Sequence, residues 1–455
     1  MPPSARLTSP QNLSQTLLEF SPASHFRKKT SGPLKILHLL SQQPGKTGSG
    51  VYLQAMTVLG DRAGYRQRAV IGLPGDTPMP DVPPLAAEDL FALRFDRPPV
   101  PFRIPGMSDI MPYPSTRFST FTDAMREDYL QAFWDILNAA AKDFEPDIIH
   151  SHHLWLLTAL ARFRFPDTPI CVSSHGTELR QLANAPKLAS FVVPGCRDVD
   201  LVFALHEDNK RQIMTAYGIP ENRIQITGAG FQSDLFRPSD SCVPGFDREE
   251  LTIVYAGKIS APKGVPWLIQ AMRRVRAPEG KKIRLLLAGS AGEGSGEEIR
   301  RQAADLENVV FLGALTQTAL ADVLREADVF VLPSFFEGLP LVMVESLACE
   351  CRVVVTDLPG LDSWMPEDLC ADRVVEKVPL PRLIGPDTPV SEDLPRFVDD
   401  LAVALSRQLE AAAACKGEAG IACRVAGLSW EGVFERIQAA YIELAGASDS
   451  ILHSR

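Results

Sequence analysis

The sequence predicts an α/β protein built as two successive parallel-sheet domains. Apolar runs of strand length alternate with amphipathic segments, the pattern of strands joined by crossover helices. At 455 residues the chain is too long for one ordinary core. Near its middle a stretch rich in Pro, Ser, Gly and Asp interrupts the alternation, which then restarts.

In chain order, residues 1–30 read as a disordered leader. They hold Ser, Pro and Thr and the basic run Arg27-Lys28-Lys29, with no apolar signal-peptide core. The first strand covers 34–40. Further strands are expected at 68–71, 147–151, 169–174, 201–205 and 224–227, with helices between them, the longest at 121–144. Residues 236–247 read as a linker. The second half restarts at 251–256 and continues with strands at 283–288, 309–312, 329–332 and 353–356. A last helix at 429–444 begins with Ser429 as N-cap. The expected domains are therefore 31–238 and 239–428, with 429–455 forming the final helix and tail.

Composition narrows the function. Hydrophobic content of 45% and charged content of 22% are ordinary for globular proteins. A net charge of −10 argues against a general nucleic-acid binder. No apolar stretch approaches the roughly 20 residues of a membrane span. The eight cysteines are scattered, and the close pair Cys349 and Cys351 has no second pair at metal spacing, so buried thiols in a reducing cytosol are expected.

Chemistry concentrates at four places. Glu337 follows the strand 329–332, and Glu345 lies in the next helix, with Gly338, Leu339, Pro340 and Leu341 between them. A helix start presents unpaired N–H groups and suits phosphate. A carboxylate deeper in the helix suits sugar hydroxyls, which donate to an ionised acceptor. Together they point to a ligand with both phosphate and polyol, such as a nucleotide sugar. Lys258 and Lys263 stand five apart in a loop after the strand 251–256, before a helix at 265–276. Two such cations can bracket a diphosphate and offset charge on a leaving group. His175 directly follows the strand 169–174, and strand C-terminal ends are where open α/β sheets bind ligands. The run Pro44 to Gly50 joins the first strand to a helix. Its Gly45-Lys46-Thr47 suggests a phosphate loop, but the first glycine that motif needs falls on Leu40 here, and no Walker-B-like partner is evident.

Glu-x7-Glu in this strand–turn–helix setting resembles the signature of retaining glycosyltransferases of family 4 (group 1), across about residues 34–445. The resemblance implies a GT-B architecture, two Rossmann-like domains facing across a deep cleft, with the C-terminal helix crossing back to the first domain. It implies transfer of a sugar from a nucleoside-diphosphate sugar with retention. Glu345 would hold the ribose, and Glu337 a donor-sugar hydroxyl with backbone N–H groups of Gly338–Leu341. Lys258 and Lys263 would bind the diphosphate, and His175 would contact the sugar. The family's usual Gly-Gly-x-Gly appears as Gly48-Ser49-Gly50, one glycine short, and its usual Arg is Lys258, which keeps charge but loses the guanidinium fork. The Asn-Gly-Val-Asp-like turn expected near Gly228 departs at Phe231 and Gln232. Gly289 and Gly292 would line the nucleotide pocket, and Leu315-Thr316 lies where the base is usually held.

Two further features are acceptor-side candidates. His152 and His153 follow a strand; with His150 they suggest zinc, but no carboxylate or Cys stands at helical spacing nearby. Residues 97–119 carry six prolines, at 98, 99, 101, 105, 112 and 114, with Phe102, Tyr113, Phe118, Arg103 and Arg117. Proline at that density forbids helix and central strand, so an ordered functional loop is expected, with its aromatic faces and arginines toward the acceptor.

With no Asp-x-Asp pair in a convincing setting, no metal or other cofactor is expected. The expected partners are a nucleotide-sugar donor and an acceptor that is a glycan, a lipid-linked molecule or a small molecule, in the cytoplasm, with peripheral contact at the inner membrane face allowed. Glycan biosynthesis is the expected setting. The rival readings are a nucleotide-sugar epimerase, a phosphorylase or another enzyme on the same fold, and a binding protein without catalysis.

Overall fold

The computed structural model describes residues 32–45, 47–108, 111–239, 248–291, 295–385, 387–414 and 420–446. The leader at 1–30, Lys46, Gly292, residues 240–247 of the linker and the tail after 446 lie outside these. The chain divides into two compact units, Met1–Gly228 with Val433–Arg455, and Ala229–Gly432.

The first unit is built on a seven-stranded sheet in the order β3-β2-β1-β6-β7-β8-β9. Its strands are β1 (Lys35–Leu40), β2 (Arg66–Leu73), β3 (Leu90–Arg94), β6 (Ile148–His152), β7 (Ile170–Ser173), β8 (Leu201–Ala204) and β9 (Ile224–Ile226). Neighbours pair in parallel. Central strands read as continuous apolar runs because helices cover both faces. On one face Leu37, Leu39, Ile149 and Val172 pack with Tyr129, Phe133 and Leu137 of the helix Asp123–Ala141. Leu40, Leu53, Ala69 and Ile71 form a smaller cluster.

Among the described residues of 97–119 there is no helix apart from a 3-10 turn that begins at Phe118, and the strands are the two-residue β4 (Pro105–Gly106) and β5 (Thr116–Arg117). Their aromatics correct the expectation of ligand-facing rings. Phe118 and Tyr113 are buried, and Phe118 lies edge-on to Trp155 and Tyr129 at ring separations of 5.4 and 6.3 Å. Phe102 contacts Phe95 and Phe121. The segment is ordered because it buries these rings, which a Pro-rich backbone without regular hydrogen bonding needs for its stability.

The second unit carries a six-stranded parallel sheet in the order β12-β11-β10-β13-β14-β15. The strands are β10 (Glu250–Ala256), β11 (Lys282–Ala288), β12 (Val309–Gly313), β13 (Val329–Leu332), β14 (Arg352–Thr356) and β15 (Val375–Val378). In each sheet the strand order reverses direction once, between β1 and β6 and between β10 and β13. The crevices beyond the C-terminal ends of these strand pairs are where such sheets bind ligands. Ser429 accepts a hydrogen bond from Gly432 N at 3.2 Å, as the predicted N-cap of the helix Trp430–Leu444. From Val433 that helix belongs to the first unit, where Tyr441 Oη meets His150 Nδ1 at 2.5 Å and Arg436 donates to Thr227 O.

Candidate functional site

In the second unit, β13 ends at Leu332 and the helix Leu341–Ala348 begins after an eight-residue turn that carries Glu337. The turn is anchored by Phe335, whose N–H donates to Pro262 O at 3.0 Å and whose ring packs on Trp267 and Phe397. Its neighbour Phe336 is exposed. On the facing loop, Gly264 caps the helix Val265–Met272 with φ of 73°. A Cβ there would stand 2.0 Å from Pro333 O, so glycine is required for the two loops to meet. Their meeting places Lys263 Nζ 2.7 Å from Glu337 Oε2 and 3.3 Å from Phe336 O. Read from the sequence these residues have separate tasks; in the structure each is the other's partner.

Lys258 is exposed, and its carbonyl accepts from the buried Tyr255 hydroxyl at 2.8 Å. Burial, together with the charge of Glu337, pushes the Tyr255 phenol well above its ordinary value, so it stays a donor. Beside this loop the backbones of β10 and β11 converge. Gly289 has φ of 149°, and a Cβ on it would lie 1.7 Å from Gly257 O. Gly289 N donates to Gly313 O at 2.7 Å. Gly338, by contrast, has open space around the position of a Cβ. The sequence reading expects backbone N–H donors within Gly338–Leu341. Pro340 has no N–H and Leu341 N bonds Leu339 O at 2.9 Å, which leaves Gly338 and Leu339.

Glu345 is the fifth residue of its helix and is 9% exposed. Among the described residues no hydrogen bond or ion pair reaches its carboxylate. Burial without compensation raises its pKa to about 7. An acceptor so placed is matched to hydroxyl donors from a ligand.

In the first unit, sheet register assembles a row of imidazoles. His38 pairs with His150 across β1 and β6, and His150 and His152 share a face by the two-residue period of a strand. The His150 and His152 rings stack at 5.0 Å, and the His152 and His175 rings at 5.4 Å. His152 Nδ1 lies 3.2 Å from His175 Nε2, and Tyr52 meets the His175 ring edge-on at 5.3 Å. Burial, reinforced by neighbouring imidazoles, holds His150 and His152 well below the usual value and His175 at about 3. Burial also lowers His38 to about 4, against its bond to Gln67.

His152 and His153, read from the sequence as cleft-lining or acceptor-side residues, are each 2% exposed and contact His175. Arg103 and Arg117 are exposed. In the β1 loop, Thr47 caps the helix Gly48–Arg62 by accepting from Gly50 N, and buried Ser49 donates to Gln42 Oε1 at 3.1 Å. Gly50 is needed there, since a Cβ would stand 2.5 Å from Gly45 N; Gly48 is open. Among the described residues no group of three or more His, Cys, Asp and Glu is placed to hold a metal.

Glu178 carries no role in the sequence reading, yet the structure makes it central. It is fully buried and accepts from His175 N at 3.1 Å. The His-x-x-Glu spacing, that of a capping box, was the available signal.

Comparison with known proteins shows the family and the fold. The profile described as glycosyl transferases group 1 matches residues 250–375, and that of the glycosyl transferase 4-like domain matches residues 47–230. The chain belongs to the group 1 glycosyltransferases. It is 29% identical over 238 residues to D-inositol 3-phosphate glycosyltransferase of Mycobacterium bovis, which spans 47% of this chain and 48% of the relative. The chain thus covers about half the length of the curated relatives it matches. Two solved structures share its fold. One is sucrose-phosphate synthase from Thermosynechococcus elongatus, with TM-score 0.57, 16% identity and coverage of 91% of this chain and 100% of that one. The other is HepE from Anabaena in complex with UDP-glucose, with TM-score 0.52, 16% identity and coverage of 90% and 100%. The group 1 glycosyltransferase chain therefore has the two-domain GT-B fold.

Proposed function

We propose that this protein transfers a sugar from a nucleoside-diphosphate sugar to an acceptor, with retention at the anomeric carbon and without a metal. The observation that carries this is the second unit's crevice. There Lys263, Glu337, Lys258 and Glu345, whose carboxylate has no partner among the described residues, stand at the switch point of a sheet in a group 1 glycosyltransferase.

Glu345 accepts from the ribose hydroxyls. Glu337 accepts from a hydroxyl of the transferring sugar, aided by the amides of Gly338 and Leu339. Lys258 and Lys263 bind the diphosphate and neutralise charge gathering on it as the glycosidic bond breaks. Donor binding divides Lys263 between Glu337 and phosphate oxygen, so the ion pair is the resting partner that donor displaces. Gly257 and Gly289 let backbone approach the nucleotide, as do Gly48, Ser49 and Gly50 on the first unit. His175, held neutral, exchanges hydrogen bonds with the sugar. Exposed Arg103 and Arg117 suit an anionic group on the acceptor, which fits the acceptor named for the mycobacterial relative. Among the described residues no helix is long and apolar enough to cross a membrane, and a cytoplasmic enzyme of glycan synthesis is the setting we favour.

The test is a panel of nucleotide sugars read first by thermal shift and then by donor hydrolysis in a chelator. A ligand at a hundred times its Kd stabilises by about 2.7 kcal/mol. Stabilisation by one donor and chelator-resistant hydrolysis with the anomer retained are expected. No shift with any donor would remove the reading, and complete loss in chelator restored by a divalent cation would remove its metal-free part.

A further inference from the structure

We infer that Glu178 is a positioning residue for His175, acting through the backbone of the His175 loop and through the imidazole of His153. The inference rests on the role proposed for His175 above. Four observations carry it.

The first is the carboxylate's set of partners. Both oxygens accept from His175 N, at 3.1 and 3.3 Å, and Oε2 lies 3.3 Å from His153 Nδ1. The second is its charge. Burial opposes ionisation, but hydrogen bonds from His153 and Ser174 and the adjacent imidazoles outweigh it and hold the pKa at about 2. Glu178 is therefore a buried anion at neutral pH. An anion only accepts, so His153 Nδ1 carries the proton it shares with Glu178. Its Nε2 is buried and has no hydrogen-bond partner among the described residues.

The third is strain. His153 has φ of 72°, left-handed for a residue with a Cβ, at the point where β6 ends. That conformation brings its ring to 4.7 Å from the His175 ring, while its own N–H bonds Ser173 O at 3.0 Å. The fourth is the confinement of His175. His152, His153 and Tyr52 surround its ring, and Glu178 grips the backbone that bears it, just before Gly176 turns at φ of 77° into the helix Thr177–Asn184. Glu178 touches the His175 main chain and not its ring. Its effect on the reaction is therefore on where His175 stands. The ribose and diphosphate contacts proposed above lie on the second unit, so KM changes little.

The experiment compares the full chain with Glu178→Gln, His175→Ala and the double variant, using the donor found in the panel. Glu178→Gln keeps an acceptor for His175 N–H but cannot remain acceptor-only toward His153. Expected is a fall in kcat for donor hydrolysis of about tenfold to a hundredfold with KM changed less than about twofold. In the His175→Ala background Glu178→Gln should add nothing. In parallel, nitrogen-15 NMR of the histidine rings should show His153 protonated at Nδ1 in the wild type and shifted from that state in Glu178→Gln. Unchanged kcat, an additive loss in the double variant, or an unchanged His153 ring overturns the inference. If the wild type neither binds nor hydrolyses any donor, the function proposed above has failed, and the ring spectrum alone decides whether Glu178 sets His153. Should Glu178→Gln not fold, His153→Asn and His153→Asp replace it. Both tolerate left-handed backbone, but only Asn keeps a donor toward Glu178. Retained kcat in Asn with loss in Asp is expected, and equal kcat in the two overturns the inference.

Discussion

Glu345→Gln should make the ligand-free protein more stable and the enzyme worse. Glu345 is buried with no partner for its carboxylate among the described residues, and its pKa rises from an ordinary 4.5 to about 7. That displacement corresponds to about 3 kcal/mol spent on burying the ionised form. The sign follows from proton counts. Between about pH 4.5 and 7 the folded state holds a proton that the unfolded state has lost. Stability therefore falls as pH rises through this window, and the whole penalty is present above it. Glutamine is never ionised, so the variant should gain about 2 kcal/mol at about pH 8, after allowance for burying an amide, and about nothing near pH 4. Native-state hydrogen exchange of amides in β13 and the helix Leu341–Ala348 reads this locally.

The same carboxylate should govern donor affinity. If only the ionised form accepts from ribose, affinity rises about tenfold between about pH 6 and pH 8 in the wild type, because the ionised fraction does. A nucleotide sugar is the right probe, since its diphosphate diester does not titrate near neutral pH. Glu345→Gln should be flat with pH and weaker by roughly 1.5–3 kcal/mol where Glu345 is ionised. A variant no more stable than wild type at about pH 8, together with a wild-type affinity indifferent to pH, would refute the reasoning.

Other outcomes follow from the same geometry. Lys263→Ala should weaken nucleoside diphosphate at least tenfold while leaving the unphosphorylated nucleoside unchanged by calorimetry, and cost only about 1 kcal/mol in stability, because its pair with Glu337 is partly exposed. Gly289→Ala should destabilise the second unit by about 3 kcal/mol or more, since its Cβ meets backbone at 1.7 Å, whereas Gly338→Ala should stay within about 0.5 kcal/mol; equal urea midpoints would contradict the packing. Below about pH 6 the first unit should lose amide protection in β6 and β7, because unfolding lets His38, His150, His152 and His175 take up protons that the fold denies them.

Much of the fold was legible because parallel strands covered on both faces leave unbroken apolar runs. The strands that escaped are at sheet edges. Leu90–Arg94 is made of Leu, Phe, Ala and Arg, good helix formers apart from Phe, and Val375–Val378 places Glu and Lys between its valines. The helix expected at 265–276 stops at Met272, well before the prolyl and glycyl residues at 278 and 280. Glu337, Glu345, Lys258 and Lys263 were visible because their function depends on local spacing. Tyr52 was not, because it meets the His175 ring only through the fold, and Glu178 was passed over although its spacing from His175 is local. Aromatics in the Pro-rich stretch misled for the same reason. Nothing local shows that the helix Asp123–Ala141 offers Tyr129 and Phe133 to pack against the unit that buries them.

The two units solve opposite electrostatic problems. The second holds cations in partly exposed loops and, in Glu345, a buried carboxylate whose ionisation burial suppresses. The first holds at least four imidazoles neutral by burying them together. Cationic rings in such a row would attract anions. Kept neutral, they can orient hydroxyls without attracting phosphate. The one full charge they enclose is that of Glu178, which repels phosphate. The pH dependences then separate. Falling pH works against the first unit, where depressed histidines must charge on unfolding, and rising pH works against the ligand-free second unit through Glu345. A titration near neutrality in donor binding should therefore belong to Glu345 and survive every histidine substitution, including His175→Ala. If His175→Ala abolished it, the neutrality of the imidazole row would be wrong, and so would the division of labour argued from it.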